Sequence, residues 1–200
     1  VPLTITRGGD FPPRFVPASV TSEPWGELNL RFDNRNSGQA SWTTTYLGYS
    51  NGAMPLQRLT QPASAYESTS ANIAACHAGS WYDPAQSGHG IFTEVLGSAP
   101  NRTLLAIWYT YLNGEQHWIT ATGPIQGATA TLAASITIGG DFPPDFNPAQ
   151  VSRQSWGTLT FRAIDADQAA WSWNSSIEGY GSGSLTLTRR QCRVLALNNE

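Results

Sequence analysis

Three histidines, His77, His89 and His117, are the side chains of this 200-residue chain whose ordinary pKa suits proton transfer near neutral pH. They are scattered, with no His-x-His or His-x-x-x-His spacing, so a zinc site would need ligands from separate loops. His89 with Asp83 is the nearest approach to a metal pair, and the sequence assigns no metal there. Asp10 and Asp141 sit beside glycines in a region too poor in carboxylates for calcium, and read as turn residues. No nucleophile elbow supports a Ser-His-Asp set. Glu94 alternates with Phe92 and Leu96, and Arg189 with Leu187, which places charges where the pattern wants apolar side chains. A buried charge must be paired. The expectation is an interior Glu94–Arg189 ion pair, structural or serving as the polar anchor of a cavity. Glu94 with His117 or His89 is the acid–base pair an enzymatic role would use.

Aromatic residues are the richer resource, with eight tryptophans. Trp25, Trp42, Trp156 and Trp173 follow an internal repeat described below and read as core. Trp81, Trp108, Tyr109 and Trp118 cluster outside the repeated part. Rings of this group that face solvent together would stack sugar rings or anchor a protein. Candidate ligand-binding residues are therefore Trp81, Glu94, Trp108, Tyr109, Trp118 and Arg189.

The positioning elements follow from the repeat. Gly8-Gly9-Asp10-Phe11-Pro12-Pro13 returns as Gly139-Gly140-Asp141-Phe142-Pro143-Pro144, and 23 identical pairs align residues 1–58 with 132–189 without a gap. The chain is thus the back half of one unit followed by a whole unit. Boundaries fall at 1–60 for the half repeat, 61–75 for a polar linker, 76–192 for the complete repeat and 193–200 for a tail. Within both parts, short period-two runs alternate with turns and show no helical periodicity. Asn113-Gly114 is the strongest hairpin signal and sets Tyr109 opposite Trp118 and Thr110 opposite His117. Prolines exclude Gly8–Pro24 from a central strand, so it reads as a long loop. The fold expected is all-β: an antiparallel up-and-down meander barrel of about eight strands, closed to remove its edges, plus a half repeat of about four strands. Four strands cannot close alone, so residues 1–60 are also the expected surface for a homo-oligomer.

Composition narrows the partners. Charged residues are 12% of the chain, all eleven basic residues are arginine, and net charge is −3. Schiff-base lysine chemistry and the P-loop lysine are excluded, and nucleic acid is disfavoured as a partner. No run of eighteen apolar residues marks a membrane-spanning helix, and no cofactor motif occurs. Cys76 and Cys192 flank the complete repeat; in a closed sheet the first and last strands are neighbours, which suits a disulfide worth roughly 4–5 kcal/mol in the chain-entropy model. That pairing implies a secreted or periplasmic location.

Gly79-x-Trp81-Tyr82-Asp83-Pro84-x-x-Ser87-Gly88-x-Gly90, Trp108-Tyr109-Thr110-Tyr111, Gly114-x-x-x-Trp118 and Arg58-Leu59-Thr60 resemble a repeat of secreted bacterial proteins of unknown function. The resemblance implies an exported all-β module and brings no activity with it. Gly79-x-Trp81 with Arg189 is similar to the calycin pattern of lipocalins, avidins and bacterial metalloprotease inhibitors. It implies a structural cation–π contact at one end of a barrel. The function expected is a non-catalytic binding module for a glycan, a small apolar ligand or a protein. Two rivals are inhibition of a secreted hydrolase through the loops Asp10–Pro17 or Asp141–Pro148, and the Glu94–histidine enzyme.

Overall fold

Alternating apolar and polar residues punctuated by Gly, Pro and Asn produce twelve antiparallel strands in the computed structural model, which describes residues 1–61 and 72–189. The half repeat forms β1 (Pro2–Arg7), β2 (Thr21–Phe32), β3 (Ser37–Thr44) and β4 (Gly52–Gln57), an open sheet in that order. The complete repeat forms β5 (Gly79–Trp81), β6 (Gly90–Leu96), β7 (Thr103–Leu112), β8 (Glu115–Gln126), β9 (Thr129–Ile138), β10 (Ser152–Ala163), β11 (Gln168–Asn174) and β12 (Ser182–Thr188). These eight pair strictly with their sequence neighbours. Tyr82 and Thr188 then exchange backbone hydrogen bonds of 3.0 and 2.8 Å, which brings the first and last strands together. The expected meander is present, nearly closed into a barrel.

The Asn113-Gly114 turn carries positive φ at both residues, 53° and 86°, as a tight two-residue hairpin demands. Its register sets Tyr109 opposite Trp118 and Thr110 opposite His117, as read from the sequence. β2 is longer than expected. It begins at Thr21 and includes Pro24, which the sequence reading gave to a loop. Pro24 pairs with Thr4 of β1 beside a register shift and lies beyond the end of β3, a bulged, edge-like position where proline is tolerated.

Inside the barrel the rings of Trp81, Trp108, Trp156 and Trp171 are fully buried with Phe161, Ile91, Leu104, Ile119, Leu132, Leu159 and Leu187. On β6 the inward residues are Ile91, Thr93 and Val95. Phe92, Glu94 and Leu96 therefore face outward, opposite to the expectation. The strand has apolar residues in both phases, so alternation alone could not choose. Thr93 settles it by accepting the buried Trp81 Nε1–H at 3.0 Å and donating to the His77 carbonyl at 2.7 Å.

The two repeat copies are joined by an exchange of loops. Phe11, from the β1–β2 loop, is fully buried in the mouth of the barrel, 4.8 Å from Trp108 and Tyr180, 5.6 Å from Trp173 and 6.1 Å from Trp156 between ring centroids. Phe142, its repeat equivalent, enters the open sheet and meets Trp25, Trp42 and Tyr49 at 5.8, 5.5 and 4.9 Å. These partners are the repeat equivalents of Trp156, Trp173 and Tyr180. Backbone bonds clamp the first exchange: Gly8 N–H to the Gly114 carbonyl at 2.9 Å and Gly114 N–H to the Gly9 carbonyl at 2.8 Å. Gly9 must lack a side chain, since a Cβ there would lie 2.5 Å from the Tyr111 ring. Phe11 is buried on all sides whereas Phe142 keeps 38% exposure. Phe11→Ala should therefore cost about 3–5 kcal/mol in urea unfolding, with Phe142→Ala costing less than half as much.

Candidate functional site

The six candidate residues separate into three groups. Trp81 and Trp108 belong to the barrel core. Glu94 and Arg189 do not pair. Arg189 lies at the far end of β12, its guanidinium carbon 5.0 Å from the centre of the Trp81 ring. It donates to the carbonyls of Ala166 at 2.8 Å and Ala78 at 3.2 Å, with the Asp167 carboxylate 3.6 Å away. This is the cation–π contact the calycin pattern implies, and its surroundings are structural. Glu94, on the outer wall, accepts a hydrogen bond from the Thr60 hydroxyl instead. Glu94 and Arg189 thus stand apart with separate partners, because β6 runs in the opposite phase, and Arg189 Nη2 is buried without a hydrogen-bond partner among the described residues.

Tyr109 and Trp118 remain, and the structure brings them together. They are directly opposed on β7 and β8, on the outer wall, 54% and 52% exposed. The other seven tryptophans are buried. Tyr109 stands between two shallow depressions. One, about 330 Å³, is lined by Thr6, Tyr109, Gln116, His117 and Trp118. The other, about 480 Å³, is lined by His89, Phe92, Ile107 and Tyr109 among others. Gln116 and Trp118 share a face of β8, and Gln116 Nε2 donates to Thr6 at 2.8 Å. The hairpin pairing made Tyr109 and Trp118 legible as neighbours. Their exposure was not legible, because the inward phase of β7 was undetermined.

His89 escaped assignment as a binding residue. Its ring lies 4.6 Å from Phe15 and 6.1 Å from Trp108 between centroids. Trp108 Nε1–H donates to His89 Nδ1 at 3.1 Å, so in the neutral ring the proton resides on Nε2. His89 Nε2 is buried and has no partner among the described residues, and His89 lines the larger depression. The site thus combines flat aromatic faces with one directional N–H donor lacking an acceptor. Burial pushes the His89 pKa down to about 4, against which Asp83 acts only weakly, and lowers those of His77 and His117 too.

The acid–base pairs named from the sequence are not assembled: Glu94 is on the outer wall, His89 packs against Trp108, and His117 Nδ1 meets the Tyr180 hydroxyl at 3.2 Å. Among the described residues, no group of three His, Cys, Asp or Glu side chains could hold a metal ion. Asp10 has the turn role expected of it, accepting the Phe11 and Asn113 amides at 2.7 and 3.3 Å. The adjacent Arg14 guanidinium, hydrogen-bonded to Asp10, holds its carboxyl below the usual range. The loop Asp10–Pro17 carries Phe11 and Phe15 into buried positions and does not project as an inhibitory loop would. Cys192 lies outside the described residues; Cys76 occupies a short turn just ahead of β5. No described helix is long and apolar enough to cross a membrane. Comparison with family models, curated proteins and solved structures finds no match for this chain.

The histidines make stability depend on pH. An unfolded chain takes up protons at His89 below about 6.5, whereas the folded chain refuses them until about 4. The stabilisation is complete above pH 6.5 and lost as pH falls toward 4, with a His89 share on the order of 3 kcal/mol. Melting temperature should decline across that window, and His89→Gln should flatten the decline.

Proposed function

We propose that this protein is an exported, non-catalytic binding module that takes a glycan on its outer wall, across Tyr109 and Trp118. The observation that carries the reading is the exposure of this one cross-strand aromatic pair on a chain that buries every other tryptophan. Pyranose rings present apolar C–H faces that pack on aromatic faces, while their hydroxyls need directional partners. Gln116, which lines the depression on one side of Tyr109, supplies such a partner. Strands of a barrel hold these groups rigidly, so little ordering is lost on binding. A lumenal ligand fits less well, since four indoles and Phe11 occupy the interior. Export rests on the resemblance to secreted repeats and on the proposed Cys76–Cys192 pairing, which a mass measurement under non-reducing conditions would test.

Titration with soluble oligosaccharides of glucose, N-acetylglucosamine and mannose should perturb the emission of Trp118. Trp118→Ala and Tyr109→Ala should each weaken binding at least tenfold, about 1.4 kcal/mol, with stability changed by no more than about 0.5 kcal/mol. If no oligosaccharide alters emission or is retained on a column of the protein, the glycan reading is wrong.

A further inference from the structure

The two repeat copies allow a direct comparison of one structural unit covered and uncovered. In the complete repeat, β5–β8 cover the inner face of β9–β12; among the described residues no strands cover the inner face of β1–β4, which only the inserted Phe142 loop touches. Phe161 and Ala163 are 0% and 4% exposed, while their equivalents Leu30 and Phe32 are 44% and 70% exposed. An apolar groove of about 440 Å³ runs over this face between Trp42, Leu28, Met54 and Phe142. The outer edges of β1 and β4 have no strand beside them among the described residues.

Two further differences identify what belongs there. Gly8 and Gly9 are held by backbone bonds to Gly114 at the tip of the β7–β8 hairpin, and Asp10 accepts from Asn113. Gly139, Gly140 and Asp141, the equivalents, make no such bonds among the described residues. Phe15 is 6% exposed, packed on His89 and on Tyr111 of β7 at 4.6 and 5.9 Å; its equivalent Phe146 is 50% exposed. Each absent contact is made, in the complete copy, by a residue between 89 and 114. A second copy's half sheet would cover the groove, but it contains no counterpart of that hairpin, of His89 or of Tyr111.

We infer that residues 1–60 form a docking surface for one kind of partner, a front half-repeat: four antiparallel strands like β5–β8, with a tight hairpin that grips Gly139–Gly140. The partner closes a second barrel around Trp25, Trp42 and Phe142. It pairs through the free edges of β1 and β4 as β8 and β5 pair or bridge with β9 and β12.

The test supplies such a partner. Residues 76–131 are duplicated and joined ahead of Val1, whose repeat equivalent is Leu132, so that the register of the complete copy is kept. The expected product is a monomer by light scattering. Its β1 and β4 edge amides should exchange with deuterium at least tenfold more slowly than in the unextended chain. Its anilinonaphthalene sulfonate fluorescence should also fall well below that of the unextended chain. A second fusion carries Ala40→Trp and Phe32→Ala, restoring the residues of the covered copy, so that a packing mismatch is not mistaken for failure. Unchanged exchange in both fusions would overturn the inference. So would an unextended chain that is already a dimer with these amides protected, since a second copy would then be the occupant.

Discussion

Two phenylalanines inserted crosswise hold the molecule together. Each back half-repeat presents a cup of two tryptophans and a tyrosine, and each cup is filled by the Phe of the other copy's Gly-Gly-Asp-Phe-Pro-Pro loop. The arrangement is reciprocal in the manner of an isologous dimer, although both halves lie on one chain. It explains how four strands that cannot enclose their own apolar face are nevertheless held in place. Thr6, which accepts from Tyr111 and Gln116, and the Arg7–Glu115 pair add polar contacts around the junction. Exposed pairs of that sort contribute little; the buried rings dominate.

The exchange also decides which surfaces are available for work. Phe11 stoppers one end of the barrel, and Arg189 across Trp81 closes the other, with the His77 carbonyl accepting the Trp81 indole N–H at 3.0 Å. Between these ends the lumen holds indole and aliphatic side chains. A barrel sealed in this way offers its wall more than its interior. The exposed rings of that wall lie on the front strands β6–β8, which have no equivalent in the half repeat. The front half turns Tyr109 and Trp118 outward and also grips the inserted loop through Gly114 and Tyr111, while the back half supplies the cup.

Much of this fold was readable from residue order. The 131-residue offset separates half copy from whole copy, alternation locates the strands, and Asn113-Gly114 fixes the pairing of Tyr109 with Trp118. The phase of β6 was not readable. Ile91-Phe92-Thr93-Glu94-Val95-Leu96 has an apolar residue at every position but two, and a lone glutamate facing inward looks like half of an ion pair. The answer lay in Thr93, whose hydroxyl has a buried indole to satisfy, a contact that pairs residues on different strands. The proline loops misled for a similar reason. Proline, glycine and aspartate read as an exposed turn, yet the Phe between them is bound by a cup assembled from three distant segments. His89 escaped notice because its significance is an unpaired nitrogen, which no spacing of residue types can announce.

The places where the two copies differ carry as much information as those where they agree. Positions lining the cup are kept: Trp25 and Trp156, Trp42 and Trp173, Tyr49 and Tyr180. So is the small residue beneath the ring, since a Cβ at Gly52 or Gly183 would lie 2.7 or 2.4 Å from the indole of Trp42 or Trp173. Of the positions facing a front half, Leu28 and Leu56 match Leu159 and Leu187, but others differ. Ala40 stands where the covered copy has Trp171, and Phe32 where it has Ala163. The exchange moves volume from the middle of the inner face to the end of β2. Because interiors pack to nearly constant density, four strands complementary to the first copy need a large side chain opposite Ala40 and a small one opposite Phe32. The cup is thus common to both units, while the covering surface is particular to each.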